Sequence, residues 1–515
     1  MTIHDDALSA FRKVYDDALT GASLHLQETQ AELSRALTDI EGYKLQIEEC
    51  GLEIDALKKR IAELENPVNP SKVGAVPLGE ARYAVGNVVV SSSSELEQAV
   101  NSHKPGDVIS MRAGTYTSSG WGDSYTKGKG AFTLQNYPGE AVKITPSSGS
   151  RRGFMIVKSP GVILRGFQLD GFVGDWSGNF GTLILADDPG DGSSASGATL
   201  ENMHITNSTS FAVRAFGNRT RRLSGVTLRN VTLDGSRAKQ ILSTDWTDKF
   251  TVEKSIIRNA NLSGVAFDNS EMAAWKDTVS VGLRADNVIV ENAKNSVGVW
   301  LDQSCVDFAI TNVDIKGKTQ YAVHIELCGW GVVSNVKVTG DAKFAFYNKG
   351  SRNIRYWNNT FLGYAEVVWM DEQDERAGKT NAGDSRQPFI SRGIDYSSRE
   401  NEWVNNASTD ATARYARMMI YDDQAKSSAL GMVRVVSGNL LPVRAAGTTA
   451  SLSLGTPSRR DYSVASAEAL DPSKFYANST TVNAAAPQII PDDIATLIAV
   501  PRGSRATGVT RKDLA

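Results

Sequence analysis

The first part of the chain repeats apolar side chains at intervals of seven residues. Apolar residues at positions a and d of such heptads form the seam of a coiled coil. The a positions are Leu19, Leu26, Leu33, Ile40, Ile47, Ile54 and Ile61. The d positions become strongly apolar only at Leu57 and Leu64, so the pattern is strongest in its C-terminal half. It predicts a parallel coiled coil over residues 1–66 and does not determine how many helices the coiled coil contains.

A different pattern follows the heptads. Asn66-Pro67 ends the helix, and Pro67, Pro70 and Pro77 predict a linker over residues 67–84. From about Tyr83 onward, short β-branched and aromatic runs alternate with Gly, Asn, Asp and Ser. Such runs predict short strands joined by turns.

A six-residue motif, apolar-x-Asn-x-x-apolar, recurs in this β-rich part. Its asparagines are Asn202, Asn230, Asn287, Asn312, Asn335 and Asn358, and a variant carries Lys254 at that position. Counted with the variant, the intervals are 28, 24, 33, 25, 23 and 23 residues. A period in the twenties with insertions of variable length is typical of a solenoid.

A second β-rich run follows most copies of the motif at a nearly constant distance. These runs are 211–216, 264–268, 297–302, 322–326, 344–347 and 366–371. Each coil of the solenoid therefore contributes at least two strands. Neither a leucine-rich repeat nor a helical 3.6-residue period is present.

With these motifs, the chain resembles the pectin-lyase-like right-handed parallel β-helix over residues 85–405. The resemblance implies coils of three short parallel sheets, with the asparagines stacked as a ladder that Lys254 interrupts. It also implies that a helix beginning at Ser94, with Glu97 in its capping box, closes the N-terminal end. Residues 406–515 lack the pattern and are predicted to form a separate C-terminal module. The predicted fold class is mainly β, a right-handed parallel β-helix preceded by a coiled coil.

Alternation along the second run predicts which side chains point outward. The inward set is Val265, Phe267, Val299, Leu301, Val323, Ile325, Val368 and Met370. One outward column then contains Trp300, His324, Tyr347 and Trp369. A second contains Asp268, Asp302, Glu326 and Asp371, and Lys349 interrupts it. Aromatic rings stack on sugars and carboxylates bind hydroxyl groups, so the two columns predict a carbohydrate groove. Alternatively, the acids only begin turns and the rings only cover a sheet face.

Two kinds of cleavage would suit such a groove. For hydrolysis, Asp302 and Glu326 lie on adjacent coils about 4.8 Å apart, near the separation of retaining enzymes. Asp268 and Glu326 lie two coils apart, nearer the inverting separation. A β-elimination would need a base and a charge neutraliser, for which Lys349, His324 and Arg214 are candidates.

Composition narrows the remaining classes of function. Lys plus Arg total 55 and Asp plus Glu total 58, for a net charge of −3, which argues against a nucleic-acid partner. No apolar run reaches membrane-spanning length, and the first residues do not resemble a signal peptide. Cys50, Cys305 and Cys328 lack metal-ligand spacing, and residues 371–375 and 187–191 are expected to be solvated loops. We therefore expect no metal, no cofactor and no membrane insertion.

The order of the parts resembles bacteriophage tail spikes and tail fibres. That resemblance implies a homotrimer through residues 1–66 and the β-helix, contacts with other virion tail proteins, and a place in the virion tail after assembly in the host cytoplasm. It also implies binding, and in some members degradation, of a host surface glycan. Two alternatives stay open. One is a stand-alone pectin-lyase-like polysaccharide lyase or glycoside hydrolase, and the other is a non-catalytic structural or adhesive fibre.

Overall fold

The structure, a computed structural model, divides the chain into two compact units, Met1–Pro70 and Ser71–Ala515. It describes residues 8–23, 25–27, 29–34, 73–121, 125–148, 150, 153–173, 181–188, 190, 192–237, 240–267, 272–340, 342–362, 366–371, 397–408, 418–421, 432–439, 452–455 and 487–506. Within these ranges, no helix is long and apolar enough to cross a membrane.

The described residues of the first unit are helical. Helix α1 comprises residues 8–23, 25–27 and 29–34. Three predicted a-position side chains lie on it, and Leu19, Leu26 and Leu33 are 52%, 61% and 61% exposed. The heptads after residue 34 lie outside the described residues. The association of this helix with other chains stays a prediction.

Among its described residues, the second unit contains a long sheet of 21 strands and two further helices. Helix α2 spans Ser93–Ser102 and helix α3 spans Asp492–Leu497. The strands of the long sheet are β1 (Val88–Val90), β2 (Val108–Met111), β3 (Gly114–Ser118), β4 (Thr133–Asn136), β5 (Val142–Pro146), β7 (Ile163–Arg165), β8 (Gln168–Asp170), β11 (Thr199–Glu201), β12 (His204–Ser208), β15 (Thr227–Arg229), β16 (Thr232–Ser236), β19 (Thr251–Arg258), β21 (Arg284–Glu291), β23 (Ala309–Lys316), β25 (Gly329–Ser334), β26 (Lys337–Thr339), β28 (Arg352–Trp357), β29 (Thr360–Leu362), β31 (Asn401–Val404), β32 (Ala407–Ser408) and β34 (Val433–Ser437).

A second sheet, with 12 strands in the described part of the chain, faces it across the core, and a small pair of strands lies at one corner. The second sheet contains β6 (Met155–Val157), β9 (Gly181–Asp188), β10 (Ser193–Ser194), β13 (Phe211–Phe216), β17 (Gln240–Asp245), β20 (Ala273–Thr278), β22 (Val297–Asp302), β24 (Tyr321–Glu326), β27 (Phe344–Lys349), β30 (Glu366–Asp371), β33 (Met418–Tyr421) and β35 (Leu452–Gly455). The small pair is β14 (Leu223–Ser224) with β18 (Thr247–Asp248).

Apart from β10, which pairs antiparallel with β9, the strands pair in parallel with the equivalent strands of neighbouring coils. In the long sheet β21 pairs with β23, and in the second sheet β22 pairs with β24. The coils stack into a β-solenoid of about nine turns. Its interior is a continuous apolar cluster to which both sheets contribute, including Val299, Leu301 and Ile325, as the alternation predicts.

The asparagine motif marks a corner in the backbone of the long sheet. The motif residue has a positive φ in every described copy, from 48° at Lys254 to 59° at Asn335. Asparagine tolerates this left-handed conformation better than other residues with a side chain. The predicted ladder is direct between Asn335 Nδ2 and Asn312 Oδ1, at 2.6 Å. Asn287 and Asn312 instead both donate to the carboxylate of Asp286.

A second corner follows five residues after the first and was not predicted. Its residues also have positive φ: Gly171, Asn207, Gly235, Asn259, Asn292, Gly317 and Gly340. A second, buried asparagine ladder was also missed. Asn359 Nδ2 donates to Asn406 Oδ1 at 2.8 Å, and Asn406 Nδ2 donates to Asn439 Oδ1 at 3.0 Å.

Residues 73–84, which we call the N-terminal strap, pack against the solenoid. Gly74 donates its backbone N–H to the carbonyl of Lys254, and Asn202 Nδ2 donates to the Tyr83 hydroxyl at 2.8 Å. Val76, Ala81 and Tyr83 are buried by this packing. The described part of the predicted linker 67–84 therefore differs from a free linker, because its apolar side chains cover the first corner.

Residues 487–506, the C-terminal strap, pack on the outer face of the last coils. Ile490, Ile494 and Ile498 contact Trp357 and Val404 there. The coils themselves continue beyond residue 405, since β33 and β35 extend the second sheet and β34 extends the long sheet. The described parts of 406–515 thus belong to the solenoid unit, in contrast to the predicted separate module.

Helix α2 closes the N-terminal coils as expected, although its cap lies two residues earlier than predicted. Ser92 is the N-cap, and its side chain accepts the backbone N–H of Glu95 at 3.2 Å. The Glu95 carboxylate accepts the backbone N–H of Ser91 in return, at 2.7 Å. The capping box is thus Ser92 with Glu95, not Ser94 with Glu97.

Candidate functional site

The predicted aromatic column lies in register on the second sheet. Trp300 pairs with His324, His324 with Tyr347, and Tyr347 with Trp369. Val299 and Leu301 enter the core, so Trp300 and Asp302 occupy the other face of β22. The side chains of Trp369 and Asp371 lie outside the described residues, although their backbone positions continue the two columns.

The rings of this column stack on one another. The Trp300 and His324 ring centroids are 5.0 Å apart at an interplanar angle of 24°, and those of His324 and Tyr347 are 4.5 Å apart at 10°. Trp300 and His324 are each only 5% exposed. The expectation that these ring faces are open to sugars is therefore wrong for the described part of the column. Strands about 4.8 Å apart bring successive rings to stacking distance, which covers their faces and leaves edges outward.

Further aromatic side chains enclose this stack. Tyr321 and Phe344, at the starts of β24 and β27, stack at 5.4 Å, and Tyr321 contacts the edges of His324 and Tyr347. Phe267 packs against Tyr321 from the preceding loop, at 5.5 Å. The result is an outer aromatic cluster, with Tyr347 partly exposed at its rim.

Asp302 lies beside a lysine that the sequence analysis did not identify. Lys276 Nζ is 3.1 Å from Asp302 Oδ2 and 3.9 Å from the centre of the Trp300 ring. Lys276 pairs with Trp300 in the register of β20 and β22, so it belongs to the aromatic column. Both charged side chains are buried, and a buried charge of this kind requires an opposite charge nearby.

Glu326 lies between two basic side chains. Its Oε1 is 3.6 Å from Lys349 Nζ, and its Oε2 is 3.9 Å from His324 Nε2. Lys349 pairs with Glu326 in the register of the two strands and lies beside its carboxylate, a position suited to neutralising a negative charge. Together, Lys276, Asp302, His324, Glu326 and Lys349 form a row in which basic and acidic side chains alternate, which we call the ionic row.

Arg214 is on the same face, two coils before Lys276. It pairs through Ser243 of β17 with the Lys276 position. Its guanidinium lies 5.3 Å from the ring centres of both Phe211 and Phe216, and its Nη2 is 3.9 Å from Asp245 Oδ2. The structure therefore places Arg214 in the same column as the ionic row but not in contact with Asp302 or Glu326.

The predicted strand at 264–268 is wrong, and Asp268 itself lies outside the described residues. Residues 264–267 form no strand, Val265 is 45% exposed, and Phe267 packs in the outer aromatic cluster instead of the core. The strand of this coil is β20, and Thr278 occupies the position that pairs with Asp302. A signal for β20 exists in the sequence. Counted back from the next motif asparagine, β20, β22, β24 and β27 all begin 14 or 15 residues earlier.

Asp277 turns from β20 into the core, next to two cysteines. Its Oδ1 accepts the hydroxyl groups of Thr244 and Ser280, and the Cys305 thiol donates to its Oδ2 at 3.2 Å. Burial raises the pKa of Asp277 from 3.8 to about 6. Burial also raises the pKa of the Cys305 and Cys328 thiols. These groups have no access to a ligand on the outer face.

Two comparisons with known proteins gave matches. The family model described as periplasmic copper-binding protein (NosD) matches residues 182–381. The pectin-lyase-like right-handed parallel β-helix is the fold of this chain. Strands of this kind connect almost always by right-handed crossovers. No curated protein matches the sequence.

Three solved structures similar to this chain share 13–14% identity with it. One is the A-module of mannuronan C-5 epimerase AlgE4 from Azotobacter vinelandii, at 14% identity, 69% of this chain, 92% of that chain and a TM-score of 0.47. Another is the PL6 family polysaccharide lyase Pedsa3628 from Pseudopedobacter saltans. It shares 13% identity, the match covers 83% of this chain and 97% of that chain, and the TM-score is 0.36. A third is pectate lyase Pel9A. It shares 14% identity, the match covers 60% of this chain and 69% of that chain, and the TM-score is 0.32.

The described residues of the matched stretch do not fit a copper site. Among them, no three His, Cys, Asp or Glu side chains come together as metal ligands. Cys305 and Cys328 are buried, and the raised pKa of their thiols opposes the thiolate form that binds a metal.

Proposed function

We propose that this protein binds an extended host surface polysaccharide along the outer face of the second sheet, as a tail spike or tail fibre of a bacteriophage. The observation that carries the proposal is the ionic row. Acidic and basic groups alternate there over consecutive coils, beside ring edges and the partly exposed Tyr347. Coils repeat about every 4.8 Å, so the row presents matching groups to successive sugar residues.

The same row suits acid and base chemistry on a bound glycan. Asp302 and Glu326 lie on adjacent coils, and each has a basic partner within 4 Å. In a β-elimination, Lys349 would neutralise a carboxylate of the sugar and His324 would accept the proton next to that carboxylate, while the glycosidic bond breaks and its oxygen leaves with the electron pair. In a hydrolysis, one carboxyl group would protonate the leaving oxygen. The proposal includes cleavage by one of these routes and does not choose between them.

The assembly that we propose is a homotrimer held by residues 1–66 and the β-helix and attached to other tail proteins of the virion. Its support is the exposed apolar seam of α1 at Leu19, Leu26 and Leu33. An apolar seam at heptad spacing is stable in water only when other helices cover it.

A non-catalytic adhesive fibre is the second candidate. The stacked ring faces of Trp300, His324 and Tyr347 favour it, as does the pairing of Asp302 and Glu326 with cations. In that case the ionic row only binds sugar hydroxyl groups. The stand-alone lyase or hydrolase is the less favoured alternative, since it gives no role to the seam of α1.

The test measures retention on immobilised host surface polysaccharide together with release of soluble fragments. We expect Asp302→Asn with Glu326→Gln to retain the glycan but release fragments at least 100-fold more slowly, the typical contribution of acid and base catalysis. Tyr347→Ala should weaken retention. Lys318→Ala, at an exposed position after β23, is the matched control and should change neither.

Three outcomes would count against parts of the proposal. Unchanged release by the double carboxylate variant would remove Asp302 and Glu326 from the chemistry. Retention without any release by the unmodified protein would favour the adhesive fibre. Absence of retention would contradict glycan binding altogether.

A further inference from the structure

A pocket of about 460 Å³ lies where the C-terminal strap crosses the outer face of the long sheet. Its floor is apolar and includes Trp357, Val404 and Val435. Three arginines line it, Arg355 from β28, Arg434 from β34 and Arg505 from the strap. A concave apolar surface with a few charged groups is typical of small-ligand sites, and this volume is within their usual range.

Two of the three guanidinium groups are already neutralised. The buried Glu402 carboxylate accepts Trp357 Nε1–H at 2.8 Å and Arg355 Nε–H at 3.3 Å, and it also pairs with Arg434. Arg355 pairs in addition with Asp493. These contacts hold Arg355 and Arg434 in place at the pocket.

Arg505 carries the remaining charge. Its guanidinium forms no hydrogen bond or ion pair with any other described residue, while its backbone is held by a bridge to Ile489. Three arginines against Glu402 and Asp493 leave one net positive charge at the pocket. The site therefore complements a ligand with one negative charge and a compact, partly apolar body.

We propose that this pocket binds a sugar residue that carries a carboxylate. A guanidinium presents parallel N–H donors that match a carboxylate in two hydrogen bonds. The indole of Trp357 and the apolar floor suit the C–H face of a sugar ring. The inference rests on the proposed function, since the acidic sugar would belong to the same surface polysaccharide. It adds a second contact point, on a different sheet from the ionic row.

The test is calorimetric titration of the full chain with D-glucuronate and with its neutral counterpart D-glucose. We expect glucuronate to bind at least 10-fold more tightly than glucose, because hydrogen bonds between two charged groups are stronger than those between neutral groups. Arg505→Gln should weaken glucuronate binding at least 10-fold, and Arg505→Lys should weaken it less. Arg502→Gln is the matched control. Arg502 lies on the same strap, is 78% exposed and pairs with Asp492, so its loss should leave binding unchanged.

The inference is overturned if glucuronate does not bind at millimolar concentration, if glucose binds equally well, or if Arg505→Gln binds like the unmodified protein. Tight binding of a tripeptide with a free carboxyl terminus, without glucuronate binding, would also overturn it. Thermal unfolding shows whether each variant is folded. The double variant of Asp302 and Glu326 should bind glucuronate normally. If the host polysaccharide is not retained but glucuronate still binds, only the proposed function fails.

Discussion

At the scale of single residues, Asp277 is a buried carboxyl group inside the solenoid, and it makes the stability of the fold depend on pH. Its pKa is about 6 in the folded protein, against 3.8 ordinarily. The folded state therefore holds this proton more tightly than the unfolded state does. The resulting stability is complete below about pH 3.8 and is lost as the pH rises through about 6. The difference between the two pKa values corresponds to about 3 kcal/mol in the free energy of unfolding.

We expect Asp277→Asn to raise the free energy of unfolding at pH 8 relative to the unmodified protein, by up to about 3 kcal/mol, and to change it least near pH 4. The amide oxygen can still accept the hydroxyl groups of Thr244 and Ser280. Denaturant unfolding at pH 4, 6 and 8 measures the effect. Glu291→Gln is the control for the loss of one negative charge, because Glu291 is a partly exposed residue of β21. Parallel pH curves for Asp277→Asn and the unmodified protein would show that Asp277 does not titrate in this range.

Backbone conformation explains why one corner was predictable and the other was not. Asparagine repeats at the first corner because its side chain suits a positive φ, and Lys254 takes the same conformation without an amide. At the second corner, some coils have glycine and others have asparagine, as at Gly235 and Asn259. Glycine serves this conformation equally well but occurs in many other turns, so no repeating letter marks the position.

At the scale of elements, alternation predicted the register of β22, β24 and β27 correctly, and an insertion concealed β20. The predicted run at 264–268 has the right distance from the preceding motif, but its described residues 264–267 lie outside any strand. Lys276 was missed for this reason, and with it the partner of Asp302. Stacking of the rings was also not foreseen, since alternation says which face a side chain is on and not what covers it.

The seam of helix α1 gives a prediction at this scale. Leu26→Asp places a charge at an a position, and we expect it to weaken self-association at least 10-fold, because a charge in a dry helical seam lacks a partner. Gln27→Asp adds the same charge one residue later, outside the seam, and should associate normally. Sedimentation of the full chain measures both. A monomeric unmodified protein, or equal masses for the two variants, would contradict the proposed coiled-coil trimer.

At the scale of the whole solenoid unit, the C-terminal strap is held by a few buried apolar side chains. Ile494 is fully buried against the outer face, whereas Ile489 on the same strap is 50% exposed. We expect Ile494→Ala to lower the free energy of unfolding by about 2–4 kcal/mol, within the usual cost of such a cavity. Ile489→Ala should change it little. Both are measured by denaturant unfolding of the full chain.

A lower stability for Ile494→Ala confined to an early, separate transition would show instead that the strap unfolds independently of the coils. The packing of both straps was not predictable from the sequence. Residues 73–84 and 487–506 have no period, and their contacts join residues more than 100 positions apart, such as Asn202 with Tyr83 and Asn358 with Ala506. Local patterns carry no information about such distant pairs.

The constant five-residue distance between the two corners leaves few places where the chain can vary in length. The next strand of the second sheet begins four or five positions after the second corner at Asn207, Gly235 and Asn292, but 14 positions after it at Asn259. The extra residues form the loop that carries Phe267 to the aromatic cluster, and Asn261 braces it by accepting the backbone N–H of Val265. This loop could be lengthened or exchanged without moving a coil. If the ionic row binds a glycan as we propose, a change of this loop alone would alter the glycan preference, while the scaffold is inherited unaltered.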